Sequence, residues 1–117
     1  MAKGKRAILD QEAEFFEKNG VSNAMAQSYH HTILPLSPRA DMETQVRWGI
    51  ADYEARFGWR PLGLWAPETA VNLETLDVLA ENGIRFTILA PWQAEPSDAL
   101  DPSRPYRVAL PGKKKRI

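Results

Sequence analysis

Apolar residues recur along this chain with two spacings, and the alternation between them is the first guide to its fold. Met42, Val46, Ile50, Tyr53 and Phe57 follow at intervals of four and three, which puts them on one stripe of a helix. Asp41 is the expected cap, Glu43 suits the positive end of the helix dipole, and Gly58 with Pro61 ends the run. A shorter band, Leu9, Ala13, Phe15 and Phe16, predicts a helix over Ile8 to Asn19 that stops at Gly20. Leu73, Leu76, Leu79 and Ala80 predict a third, from the N-cap Asn72 to Gly83. Between these lie runs too short for helices: Ala24 to Tyr29, Leu62 to Trp65 and Phe86 to Leu89 read as strands, the last two closed by Pro67 and Pro91. His30 to Ala40 and Gln93 to Pro105 read as loops. Tyr106 to Leu110 alternates like a strand, and Pro111 with Gly112 turns it into a terminal β-hairpin whose second arm is cut short.

Strand, helix, strand, helix, strand with short links is the βαβαβ pattern, so the fold class is α/β with adjacent parallel strands and right-handed crossovers. The three strand ends then share one edge of the sheet, where such folds bind ligands. His30 and His31 leave the first strand there, Glu68 the second, Trp92 and Gln93 the third. Three parallel strands cannot close a barrel. Whether the sheet is open or a sector of an incomplete (β/α) barrel, its edges stay unpaired, so marginal stability is expected, with missing strands supplied or self-association.

Composition narrows the partners. Lys plus Arg and Asp plus Glu are 15 each, so no overall field draws the chain to nucleic acid or anionic lipid. The basic run Lys113 to Arg116 is read as a solvated turn. Absence of cysteine excludes disulfides and thiolate chemistry. No stretch has the length and apolarity of a membrane span, Ile8 and Leu9 run straight into Asp10 and Glu12 where a signal peptide needs an apolar core, and a cytoplasmic setting is expected.

Two imidazoles, a carboxylate, an amide and indole rings on one rim suit a sugar, whose hydroxyls need hydrogen-bond partners and whose ring faces stack on aromatics. Trp65 and Trp92 are the candidate platforms, with His30, His31 and Gln93 as polar contacts. A solvated glutamate is ionised at neutral pH, which suits Glu68 to a nucleophilic role. Each residue also has a plainer reading. A Pro-Glu pair ahead of a helix commonly serves the free N–H groups of that helix, His31 can be an ordinary loop histidine, and Trp65 can be core. Trp48 and Trp59 are expected to pack the long helix and its exit. His30 and His31 are adjacent in extended chain and point opposite ways, so no shared metal is expected, and no cofactor.

The stretch G-L-W-A-P-E-T-A-V-N-L-E-T-L-D-V-L-A-E-N-G-I-R-F, with W-G-I-A-D-Y-E-A-R-F-G upstream, resembles glycoside hydrolase family 57, in particular members with a W-L-P-E-T-A-V motif. The similarity covers most of Ala24 to Ala94, leaving 95–117 as loop and truncated hairpin. It implies a segment of a retaining glycoside hydrolase or transglycosylase acting on α-glucan-type oligo- or polysaccharide, on a barrel of the glycoside hydrolase/deacetylase type. The glutamate of the W-x-P-E motif, the catalytic nucleophile in that family, corresponds to Glu68. The family's H-x-x-L-P-L histidine, which lines the sugar site, corresponds to His31. An H-Q-P motif and a strand-end Asp acid/base have no counterpart in the chain, which is therefore expected to be a single partial catalytic domain, inactive alone. A catalytically empty remnant that binds carbohydrate or a partner subunit is the alternative, and a metal-dependent deacetylase would need His and Asp ligands the stretch does not show.

Overall fold

The computed structural model describes residues 3–95, 99–112 and 116–117. Part of the loop expected over Gln93 to Pro105, and Lys113 to Lys115 of the basic run, lie outside the described residues. Three helices, α1 (Lys3–Asn19), α2 (Arg39–Phe57) and α3 (Leu73–Glu81), pack with a two-stranded parallel sheet of β1 (Ala26–Gln27) and β2 (Leu64–Trp65). Ala26 pairs with Leu64 and Gln27 with Trp65. On the far side of β2, Gly63 bridges to Phe86 in parallel, and Arg85 N donates to Leu62 O at 2.8 Å. The order first, second, third strand is thus the one the βαβαβ pattern predicts. Two of the strands are shorter than expected, and Phe86 to Leu89 is reduced to that single bridge.

The α2 stripe and most of the α3 stripe fall where their spacing puts them, whereas Leu73 is exposed, the α1 band is only half-buried, and α1 starts at Lys3 instead of Ile8. Met42, Val46, Ile50 and Tyr53 are buried, as are Leu76, Leu79 and the β2 residue Leu64, and all join one core with Leu34, Val78, Ile84 and Leu110. That α2 begins at Arg39 is a departure: Pro38 occupies the cap position, and Asp41 lies inside the first turn, where it still meets the helix dipole. Arg39 fixes this early start, donating to Glu43 at 3.1 Å and crossing to Asp77 at 2.9 Å and Glu81 at 2.8 Å on α3. Asn72 caps α3 as expected, accepting from Thr75 N at 2.8 Å. Gly20, Gly58 and Gly83 end the three helices with φ of 69°, 82° and 82°.

The closest approach in the fold is α2 over β1. A Cβ at Gly49 would overlap the Gln27 carbonyl oxygen, so only glycine lets the helix lie there. Behind it, Phe16 of α1 stacks on Trp59 at 4.2 Å, and Trp59 Nε1 donates to the buried Tyr53 hydroxyl at 3.1 Å. Trp59 is therefore the packing residue its position suggests; Trp48, 53% exposed, is not, and meets Tyr29 edge-on at 5.6 Å. Glu12 ties α1 to the chain entering β1, accepting from Ser22 Oγ at 2.7 Å and from Asn23 N and Ala24 N. At the other end, Val108 N donates to Ile117 O at 2.8 Å, and Ala109 bridges Arg116 antiparallel, so the terminal hairpin exists in short form. No helix among the described residues is long and apolar enough to cross a membrane.

Gly49→Ala should cost about 3 kcal/mol in urea unfolding, since the clash is with backbone. Gly4→Ala, in an open stretch of α1 with no atom near the added Cβ, should be neutral or slightly stabilising. Equal costs at both sites would disprove the close approach. Glu12 gives a second prediction. The hydrogen bond from Ser22, joined by those from Asn23 and Ala24 against the opposing effect of burial, holds its carboxyl below the ordinary value of 4.5. A depressed folded pKa stabilises the fold above the unfolded value, and this contribution disappears as pH falls through the folded one. Glu12→Gln should therefore flatten the loss of urea midpoint below pH 4.5; an acid limb identical to that of the unmodified chain would argue against the clasp.

Candidate active site

The site is set by how the chain leaves β1 and β2. After β1, Tyr29 N donates to Gln45 O at 3.0 Å and His30 N to Gln45 Oε1 at 2.8 Å, so α2 steers the exit. A backbone N–H can only donate, which fixes the Gln45 amide with its oxygen toward His30 N. Its nitrogen then donates to His30 Nδ1 at 3.2 Å, and His30 is held against α2 as the neutral Nε2–H tautomer. Ser28 Oγ donates to His30 O at 2.7 Å and Thr32 N to the same oxygen at 2.8 Å, closing a tight bend. The next side chain, His31, is thereby turned the other way.

After β2, Pro67 starts a turn in which Glu68 and Thr69 both take left-handed backbone, with φ of 56° and 51°. Thr69 N donates to Ala66 O at 2.9 Å and Ala70 N to Pro67 O at 3.0 Å, two overlapping turns. Proline at the second position followed by positive φ is type II geometry, whose third position ordinarily takes glycine or asparagine. Glu68 stands there instead, and the β-branched Thr69 follows it. Such a pair persists only where surroundings impose it. Gln93 supplies part of that: its Nε2 donates to Thr69 O at 2.7 Å, while its Oε1 accepts from Ala90 N at 2.8 Å.

The two exits meet. His31 Nε2 lies 2.8 Å from Glu68 Oε1, with 65% and 68% of the side chains exposed. An ionised carboxylate can only accept, so Nε2 carries the shared proton, and the other carboxylate oxygen is left open toward solvent. Glu68 does not serve the start of α3, since Asn72 caps it. The ordinary structural role for a glutamate ahead of a helix is therefore taken by another residue.

Of the sequence-derived candidates, the structure brings His31 and Glu68 into contact and sets Gln93 beside them through Thr69. His30 is held on α2. Trp65, the last residue of β2, is 37% exposed, and Trp92, in a single 3-10 turn over Pro91–Gln93, is 80% exposed. Gln45 and Thr69 were not anticipated. Gln45 lies fifteen positions from His30 on a different element and carries no local signal; Pro67 marks a turn at Glu68 but not two positive φ values, because neither residue is glycine or asparagine. Among the described residues, no group of three or more His, Cys, Asp or Glu is placed to hold a metal ion.

Thr69→Gly should raise unfolding stability by about 1 kcal/mol, because relief of the left-handed strain outweighs the extra freedom glycine gives the unfolded chain. A loss of stability of that size would show that the turn is not strained.

The model of glycosyl hydrolase family 57 matches residues 2–112, a longer span than the motif-bearing stretch from Ala24 to Ala94. No curated protein and no solved structure matches the chain. With nearly its whole length matched, the chain belongs to glycosyl hydrolase family 57.

Proposed function

We propose that this chain provides the nucleophile half of a retaining glycoside hydrolase or transglycosylase acting on α-glucan-type oligo- or polysaccharide. The observation that carries the reading is Glu68, held in left-handed backbone with His31 at 2.8 Å. Local backbone rules broken at one exposed carboxylate, with no helix-capping role to account for it, are the pattern of a functional position.

In a retaining reaction one carboxylate attacks the anomeric carbon while a second carboxyl group, about 5.5 Å away, protonates the leaving oxygen. Glu68 would attack through the oxygen His31 leaves free. His31 would hold the carboxylate in place by donating to it. Trp65 and Trp92 would offer stacking faces to the sugar, with Gln93 keeping the Thr69 turn in register. The acid/base Asp would come from outside this chain. An open rim suits that division, leaving room for the second carboxyl group and for the water or acceptor hydroxyl that cleaves the glycosyl ester of Glu68 and releases its carboxylate.

The same reading makes the sheet a sector of a larger (β/α) barrel. Parallel order in three successive strands favours it, as does a groove of about 590 Å³ between the free edge of β1 and α2, lined by residues including Gln27, Tyr29, Gly49 and Arg56. A further strand pairing with β1 would occupy that groove.

The nucleophile half can be tested without its acid partner, because fluoride leaves without protonation. On incubation with a 5-fluoro-α-glucosyl fluoride, a Glu68 oxygen should form a bond to the anomeric carbon as the carbon–fluorine bond breaks. Mass spectrometry should find one glycosyl ester, on the Glu68 peptide, that is absent from Glu68→Gln and forms about ten-fold more slowly in His31→Ala. No adduct, or equal labelling of Glu68→Gln, would defeat the assignment. Retained affinity for malto-oligosaccharides in titration calorimetry would then mark a carbohydrate-binding remnant.

A further inference from the structure

At the opposite end of the sheet from Glu68 lies a pocket of about 390 Å³, lined by Gly83, Ile84, Ile117 and three arginines, Arg85, Arg107 and Arg116. Its place follows from topology: Arg85 precedes the bridge at Phe86, whereas His31 and Glu68 follow the ends of β1 and β2. Whatever binds there does not compete for the proposed sugar rim.

The arginines of this pocket lack the ion pairs made by those on and just after α2. Arg39, Arg47, Arg56 and Arg60 each reach a carboxylate, at 3.1, 3.7, 2.8 and 3.4 Å. Among the described residues, Arg85, Arg107 and Arg116 have no such partner, nor do Arg6 and Arg104, but the first three line one pocket. Nor does the negative end of α3 stand open to them, since Arg60 Nη2 donates to Asn82 O at 2.8 Å. The backbones bearing the three arginines are fixed before any ligand arrives. Arg85 N is bound to Leu62 O, and Val108, next to Arg107, exchanges two hydrogen bonds with Ile117, next to Arg116.

We propose that this pocket binds the phosphomonoester group of a small phosphorylated sugar. Three guanidinium groups around one concavity suit an oxyanion with several charged oxygens better than a carboxylate or a halide. The volume exceeds what a phosphate alone fills and lies in the range of small-ligand sites, with Ile84 and Ile117 to face an apolar ring surface. The three arginines line one concavity in a chain of net charge zero, which favours a compact ligand over an extended polyanion.

Titration calorimetry of the full chain in low-salt, phosphate-free buffer tests this with glucose 1-phosphate, glucose 6-phosphate, inorganic phosphate, glucose and a single-stranded oligonucleotide. At least one sugar phosphate should bind more tightly than inorganic phosphate, and glucose not at all. The double variant Arg85→Gln/Arg107→Gln, changing exposed side chains only, should lose affinity at least about ten-fold. Arg104→Gln, outside the pocket, and Glu68→Gln should leave affinity unchanged, so the result is independent of the catalytic reading. Three outcomes would overturn the proposal: no binding of any phosphate, affinity unaltered in the double variant, or an oligonucleotide binding as tightly as the sugar phosphates.

Discussion

The contact on which this structure depends is the approach of α2 to β1 at Gly49. Because no Cβ intervenes, the helix backbone lies directly over the Gln27 carbonyl, and the residue one turn earlier, Gln45, comes within reach of the chain leaving the strand. The clasp of Gln45 on Tyr29 and His30 is a consequence. So is the direction of His31, which follows the bend that Ser28 and Thr32 close on the His30 carbonyl. A helix held further off by a single methyl group would leave that exit unrestrained.

The second strand exit is governed differently. Its turn is held in an unfavourable conformation rather than steered by a helix, with Gln93 from beyond the third strand bracing it from outside. The two mechanisms converge on one pair of side chains. Tight packing in the interior is what permits this, because a strained turn persists only when its anchors cannot relax. Pro67, fully buried, and Asn72, the cap of α3, are those anchors on either side of Glu68.

The two ends of the small sheet differ in chemistry. The carboxyl end gathers an imidazole, a carboxylate and two exposed indoles; the amino end gathers guanidinium groups. Net neutrality hides this division, because equal totals of acid and base say nothing of where they meet. The basic run at the end of the chain reads in isolation as a solvated turn, yet Arg116 comes to lie with Arg85 and Arg107 through the hairpin pairing.

Periodicity by itself determined the three helices, their stops at Gly20, Gly58 and Gly83, the buried stripe of α2, the Asn72 cap and the order of the strands, because each depends on residues within a few positions of one another. The W-A-P-E motif likewise marked Glu68 from local sequence alone. Only tertiary structure decided the lengths of β1 and β2, the reduction of the third strand to one bridge, and the start of α2 at Arg39, with Pro38 instead of Asp41 at its cap. Sheet pairing requires a neighbour, and Arg39 draws its partners from α3, a separate element. The same holds for the His31 to Glu68 contact and the Gln45 clasp. Their partners are separated by 37 and 15 residues, and no local preference encodes a distance that packing alone sets.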